Sequence, residues 1–194
     1  MNKQEFIRNN DLAVNRLAGL IVLIVILVVF PLMTLLTVLG IFHIPYTFLA
    51  LTSGISILLI IPTYILAVRR ASPSLVKYAL VIISTAVVAT LATNVNIGIN
   101  LTYLFPCILS CLYYDKRVTW TAFGIGTISI LYTQYLRFFA LDPTATLGTF
   151  LPKAAGNIFE FFALFMIFNL LINRITKLFS EVLSGEERKI CWNP

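Results

Sequence analysis

The sequence predicts an all-α fold: a polytopic membrane helix bundle of about six transmembrane helices with both termini on the cytoplasmic side. Three observations predict it. Apolar residues make up 59% of the 194 and charged residues only 11%, with a mean hydropathy of +0.94, whereas soluble domains carry about 25% charged residues. Six apolar runs approach the ~20 residues that a helix needs to cross the hydrocarbon core. Lysine and arginine, finally, divide very unevenly among the short loops between those runs.

Taken in order, the runs cover residues 17–39, 46–68, 75–92, 97–114, 118–139 and 150–173. They are too long for buried strands and lack the period-two alternation of a lipid-facing barrel. The first is retained rather than cleaved: Glu5 and Asp11 precede it, it exceeds a signal-peptide core, and no small-residue cleavage site follows. Pro31, Pro62 and Pro106 fall inside runs one, two and four, where a missing N–H kinks a helix and lipid-embedded neighbours compensate. The connections are short, so neighbouring helices run antiparallel.

Charge sets the expected orientation. Lys3, Arg8, Arg16, Arg69, Arg70, Lys77, Lys116, Arg117, Arg174, Lys177, Arg188 and Lys189 fall on one side, and only Arg137 and Lys153 on the other. Positive charge marks the cytoplasmic face, because Lys and Arg in short loops resist translocation. The net charge of +6 is therefore read as topology and contact with anionic lipid, not as a nucleic-acid surface. Residues 1–174 form the six-span domain. Residues 175–194 form a short cytoplasmic amphipathic helix and tail, with Ile175, Leu178, Phe179 and Val182 at helical spacing and Lys177 and Glu181 on the polar side.

No catalytic signature is present: no phosphate loop, no dinucleotide fingerprint, no metalloprotease pair, no nucleophile elbow. No enzyme activity, cofactor or metal is expected. Cys107 and Cys111 lie one turn apart without a metal-binding pattern, and the single histidine, His43, lies in an outer loop. The chemistry that remains is Glu160, about eight residues inside the sixth run. An acid at that depth is costly and faces a bundle interior or a wet cavity. Lys153, Asn157 and Glu160 share one helix face at i, i+4 and i+7. Gln134 and Arg137 near the outer end of the fifth run, and Asn100 leading into the fourth, reach a similar depth. Two readings stand. In one, Glu160 pairs with Arg137 or Lys153 and the amides bond between helices. In the other, these six residues line an outward pocket for a small polar molecule, with Tyr132, Tyr135, Phe138 and Phe139 as an aromatic wall. A proton or ion path is disfavoured, because the cytoplasmic half shows almost no polar groups. Tyr113 and Tyr114 are read as an interfacial belt beside Asp115. The lipid bilayer is the expected partner, with a second copy of the chain and a small polar ligand as further candidates.

The stretch Asn100–Trp120 (NLTYLFPCILSCLYYDKRVTW) places a proline in mid-run before a Leu-Tyr-Tyr-Asp-Lys-Arg turn. It resembles the multi-span N-terminal membrane sensor regions of bacterial signalling proteins. Those regions precede methyl-accepting transducer, diguanylate cyclase, histidine kinase or phosphatase domains. Residues 180–189 (SEVLSGEERK) resemble the linker into such effectors, although the 194 residues contain no effector domain. The resemblance implies a sensory or anchoring module that relays an outer-leaflet or periplasmic stimulus through the sixth helix. Size, span number and an outer polar site also resemble the six-span substrate-binding component of an energy-coupling-factor vitamin transporter. That family carries an Ala-x-x-x-Ala motif on its first span, and here Ala18 and Gly19 are followed by large residues until Gly40.

Overall fold

The computed structural model describes residues 3–69, 72–97, 100–113, 115–142, 144 and 146–190; for 3–9, 100–101, 176 and 178–190 it describes the backbone alone. Among the described residues the chain is all-helical, with no strand. The elements are α1 (Lys3–Val38), α2 (Tyr46–Val68), α3 (Pro73–Ala92), a 3₁₀ turn (Asn100–Tyr103), α4 (Leu104–Cys111), α5 (Lys116–Leu141) and α6 (Leu147–Ile190). Four stretches are long and apolar enough to cross a membrane: Asn10–Val38, Tyr46–Val68, Pro73–Ala92 and Leu147–Ile175. The fifth expected span is a helix of sufficient length, 26 residues, but Thr, Ser, Gln and Arg dilute its hydropathy.

The fourth span departs from expectation. In place of a full crossing over 97–114, the chain makes a four-residue 3₁₀ turn and an eight-residue α-helix. Pro106 is the reason the helix starts so late. It occupies the third position of α4, in the first turn, where its missing N–H would have had no helical partner anyway. It therefore initiates the helix and does not kink its middle.

Side-chain bonds fix which helix ends meet. Asn15 Nδ2 donates to Pro73 O at 3.0 Å, and Arg16 Nη2 to Val68 O at 3.1 Å. Lys77 Nζ donates to Asp115 Oδ2 at 2.7 Å. The starts of α1, α3 and α5 thus gather with the end of α2 at one pole, the basic one. At the opposite pole Asn96 Nδ2 donates to His43 O at 2.6 Å, and Arg137 Nη2 to Val95 O at 3.3 Å. The chain can turn sharply after α1 because Gly40 adopts φ +73°. There Gly40 N donates to Thr37 O and Ile41 N to Leu36 O, the two bonds of a Schellman C-cap.

The core is apolar, with Val22, Ile60, Leu80, Val81, Leu109 and Val118 essentially sealed. Hydroxyls inside helices return their protons to the preceding turn, as Thr52 does to Phe48 O at 2.7 Å and Thr85 to Val81 O at 2.8 Å; in lipid no water would satisfy them. The outer face of α1 exposes Leu17, Leu20, Ile24, Leu27, Val28, Leu32 and Leu35, far more contiguous apolar surface than a soluble monomer shows. Burial is uneven across the bundle. Half of the most apolar stretch of α3 is covered, against 17% of that of α6. Helix α6 lies at the edge, against α5 and α4.

Candidate ligand cleft between α5 and α6

The short fourth element makes the site. Four 3₁₀ residues and eight α residues rise about 20 Å, whereas the 20 residues of α3 rise about 30 Å. At the basic pole α4 leads directly into Asp115 and α5, so the shortfall falls at the opposite pole. There the linker after α3 is tied down by Asn96 and Arg137, and α5 and α6 face each other with no helix between them. The gap is a cleft in two chambers.

The outer chamber, about 410 Å³, is lined by Gln134, Arg137, Phe138, Leu141, Asp142, Phe150, Lys153 and Asn157. The inner one, about 50 Å³, is lined by Tyr103, Leu104, Ile130, Gln134, Asn157, Glu160, Phe161 and Leu164. Gln134 and Asn157 belong to both, so the chambers adjoin. Five of the six residues expected from sequence, Gln134, Arg137, Lys153, Asn157 and Glu160, converge here. The sixth, Asn100, opens the 3₁₀ turn, and its side chain lies outside the described part of the structure. Of the four aromatic residues expected to wall the pocket, Phe138 lines the outer chamber; Tyr135 and Phe139 gather with it around Phe150 of α6, with centroids 5.6–6.0 Å from that ring. Tyr132 is exposed.

The expected ion pair is absent. Among the described residues Glu160 has neither an ion-pair nor a hydrogen-bond partner, and its side chain sits exposed on the rim of the inner chamber instead of packed in the interior. The two candidate cations are engaged further out. Arg137 reaches the Val95 carbonyl, and the Lys153 ammonium lies 5.5 Å from the centre of the Phe138 ring, a cation–π distance. Asp142 joins them at the mouth. The Thr144 hydroxyl and N–H, at 2.6 and 2.9 Å, bond its carboxylate and hold its pKa below the usual value. The floor of the cleft is firm: Tyr103 OH and Thr133 Oγ1 are 2.7 Å apart.

The middle of the apolar stretch of α6 is clamped to α5 by rings. Phe123 stacks on Phe161 and on Phe165, with centroids 5.3 and 4.1 Å apart, and Trp120 meets Phe165 edge-on at 4.8 Å. Gly126 permits this closeness, because a Cβ there would stand 2.9 Å from the Phe161 ring.

The basic pole holds a polar cluster that sequence reasoning missed. Lys77 is 7% exposed and contacts two carboxylates, Asp115 at 2.7 Å and Asp11 at 3.5 Å. Burial alone would raise the Asp115 carboxyl, but the Lys77 ammonium and the Arg117 N–H, which reaches Oδ1 at 2.9 Å, bring it below its usual value. Asn15 is fully buried, one turn beyond Asp11. Tyr113 is buried too, with its hydroxyl unpartnered, so it is not part of an exposed interfacial belt. Beside the expectation of a cytoplasmic half almost free of polar groups, the basic pole gathers Lys77, Asp11, Asp115 and Asn15 in one cluster. Lys77 lies in the second turn of α3, close to the helix start, so in the sequence it counts as a loop charge and its partners are hidden.

Neither a protein-family model, nor a curated protein, nor a solved structure matches this chain.

Proposed function

We propose that the chain is a membrane-embedded sensory module whose α5–α6 cleft takes a small polar ligand and whose α6 carries the response across the bilayer. The basic pole faces the cytoplasm, in keeping with the charge split, and the cleft opens to the outside. The observation that carries this reading is the continuity of α6. One uninterrupted helix contributes Lys153, Asn157 and Glu160 to the cleft, crosses as the apolar stretch Leu147–Ile175, and runs a further 15 residues to Ile190. Because α6 is an edge helix, a ligand that binds two of its positions with different affinity shifts the balance between them. The likeness of residues 100–120 and 180–189 to bacterial sensor regions points the same way.

The test needs no ligand. Asn157→Cys is modified in intact cells by a bulky, membrane-impermeant thiol reagent, and a helix-coupled reporter enzyme joined after Ile190 is assayed. The expected result is labelling from outside with a changed reporter output, and no change in the unsubstituted chain. Labelling without any change in output, or no labelling from outside, overturns the reading.

A further inference from the structure

Resting on the cleft being a ligand site, we propose that its ligand is a linear dipolar molecule, with an anionic group at one end and an ammonium group at the other. The charges of the cleft are sorted by depth. Arg137 and Lys153 line the outer chamber, and Glu160 is the charged residue of the inner one. Lys153 and Glu160 lie on one face of α6 and are separated by about 10 Å along its axis, seven residues at 1.5 Å each. None of the three has an ionic partner among the described residues. Arg137 uses a guanidinium N–H on the Val95 carbonyl and keeps other donors free. Asp142, the other acid at the mouth, is bonded by Thr144 and stays ionised, so two cations face one carboxylate in the outer chamber.

Between the two charged levels stand the amides of Gln134 and Asn157, which belong to both chambers. Phe138 and Phe150 wall the outer chamber and Phe161 the inner one, a lining suited to a methylene chain. Size adds a further constraint. The inner chamber, about 50 Å³, is far smaller than the outer one, about 410 Å³. A compact head group such as an ammonium suits it better than a ring. A carboxylate or similar anion is recognised at the mouth, where two cations outnumber the single carboxylate and the free edge of the Arg137 guanidinium favours charge-assisted hydrogen bonds. A dication would meet Arg137 and Lys153, and a dianion would meet Glu160.

Three probes with the same carbon chain separate these cases: 6-aminohexanoate, adipate and 1,6-diaminohexane. Each is titrated into the full chain in lipid nanodiscs and followed by calorimetry. The amino acid is expected to bind about tenfold tighter than either relative, the least that one charge-assisted hydrogen bond contributes. Glu160→Gln is expected to abolish that preference over adipate while melting as the parent does without ligand, and Arg137→Gln is expected to abolish the preference over the diamine. Adipate binding as tightly as the amino acid and failing in Arg137→Gln overturns the dipolar ligand but leaves the cleft a ligand site. Binding of no probe also overturns it, and the sensory reading then stands or falls on the Asn157→Cys labelling alone.

Discussion

The two poles of the bundle treat charge in opposite ways. At the basic pole Lys77 sits between Asp11 and Asp115, Arg16 caps the Val68 carbonyl, and Asn15 bonds Pro73 O. Four helices are cross-linked there by residues far apart in sequence. At the other pole Lys153 and Glu160 line an open cleft and no ion pair joins them. The first pattern is how a bundle is held. The second is how a surface is left available to something else. The difference follows from the lengths of the elements: full-length α1, α3 and α5 meet at the basic pole, whereas the short α4 leaves α5 and α6 apart at the other.

The contrast breaks most visibly at Lys77. Lys77→Met strands two carboxylates at the basic pole and is expected to cost about 3 kcal/mol of stability, the lower range for opening a buried pair, since Asp115 keeps some contact with water. Unfolding in mixed micelles with increasing SDS measures it, and adding Asp115→Asn should recover part of the loss. Glu160→Gln, by comparison, should leave the midpoint where it was. Equal losses at the two positions would erase the distinction between the poles.

A smaller effect is expected at the seam that closes the cleft. Gly126→Ala places a methyl 2.9 Å from the Phe161 ring. Overpacking there should cost about 1 kcal/mol and move α6 away from α5. Paired spin labels across the two helices would report the displacement as a longer or broader distance. An unchanged distance would mean that Phe161 yields alone and that the seam does not set the position of α6. The smallest effect belongs to the floor: Tyr103→Phe removes one buried bond to Thr133 and should cost about 0.6 kcal/mol, the mean for hydrogen bonds between membrane helices. It should leave the width of the cleft unchanged.

Much of this architecture is legible in the sequence, because hydropathy and loop charge act locally. Helices α2 and α3 begin and end within two residues of the expected 46–68 and 75–92. The convergence of Gln134, Arg137, Lys153, Asn157 and Glu160 followed from helical spacing and depth alone. What failed depended on partners. Lys77 reads as a loop charge until Asp115 and Asp11 are seen beside it. Glu160 reads as half of an ion pair until Arg137 turns out to be tied to the Val95 carbonyl. The shortness of α4 is hidden because residues 97–114 are as apolar as a span, while Pro106 decides where the helix starts.

One consequence of the length of α6 is mechanical. Its close contact with α5 at Phe161 and Gly126 offers a fulcrum placed close to one end. Lys153 lies about 12 Å along the axis on the ligand side, and Ile190 about 44 Å on the other, at 1.5 Å per residue. A rigid tilt about that point therefore multiplies travel between threefold and fourfold, by roughly the ratio of these arms. On the proposed sensory reading, a head group that drew the outer arm inward by a fraction of a bond length would swing the far tip by a distance comparable to a bond, in the opposite direction. Loosening the fulcrum would let the arm slide instead of pivot, and the gain would vanish while the cleft still filled.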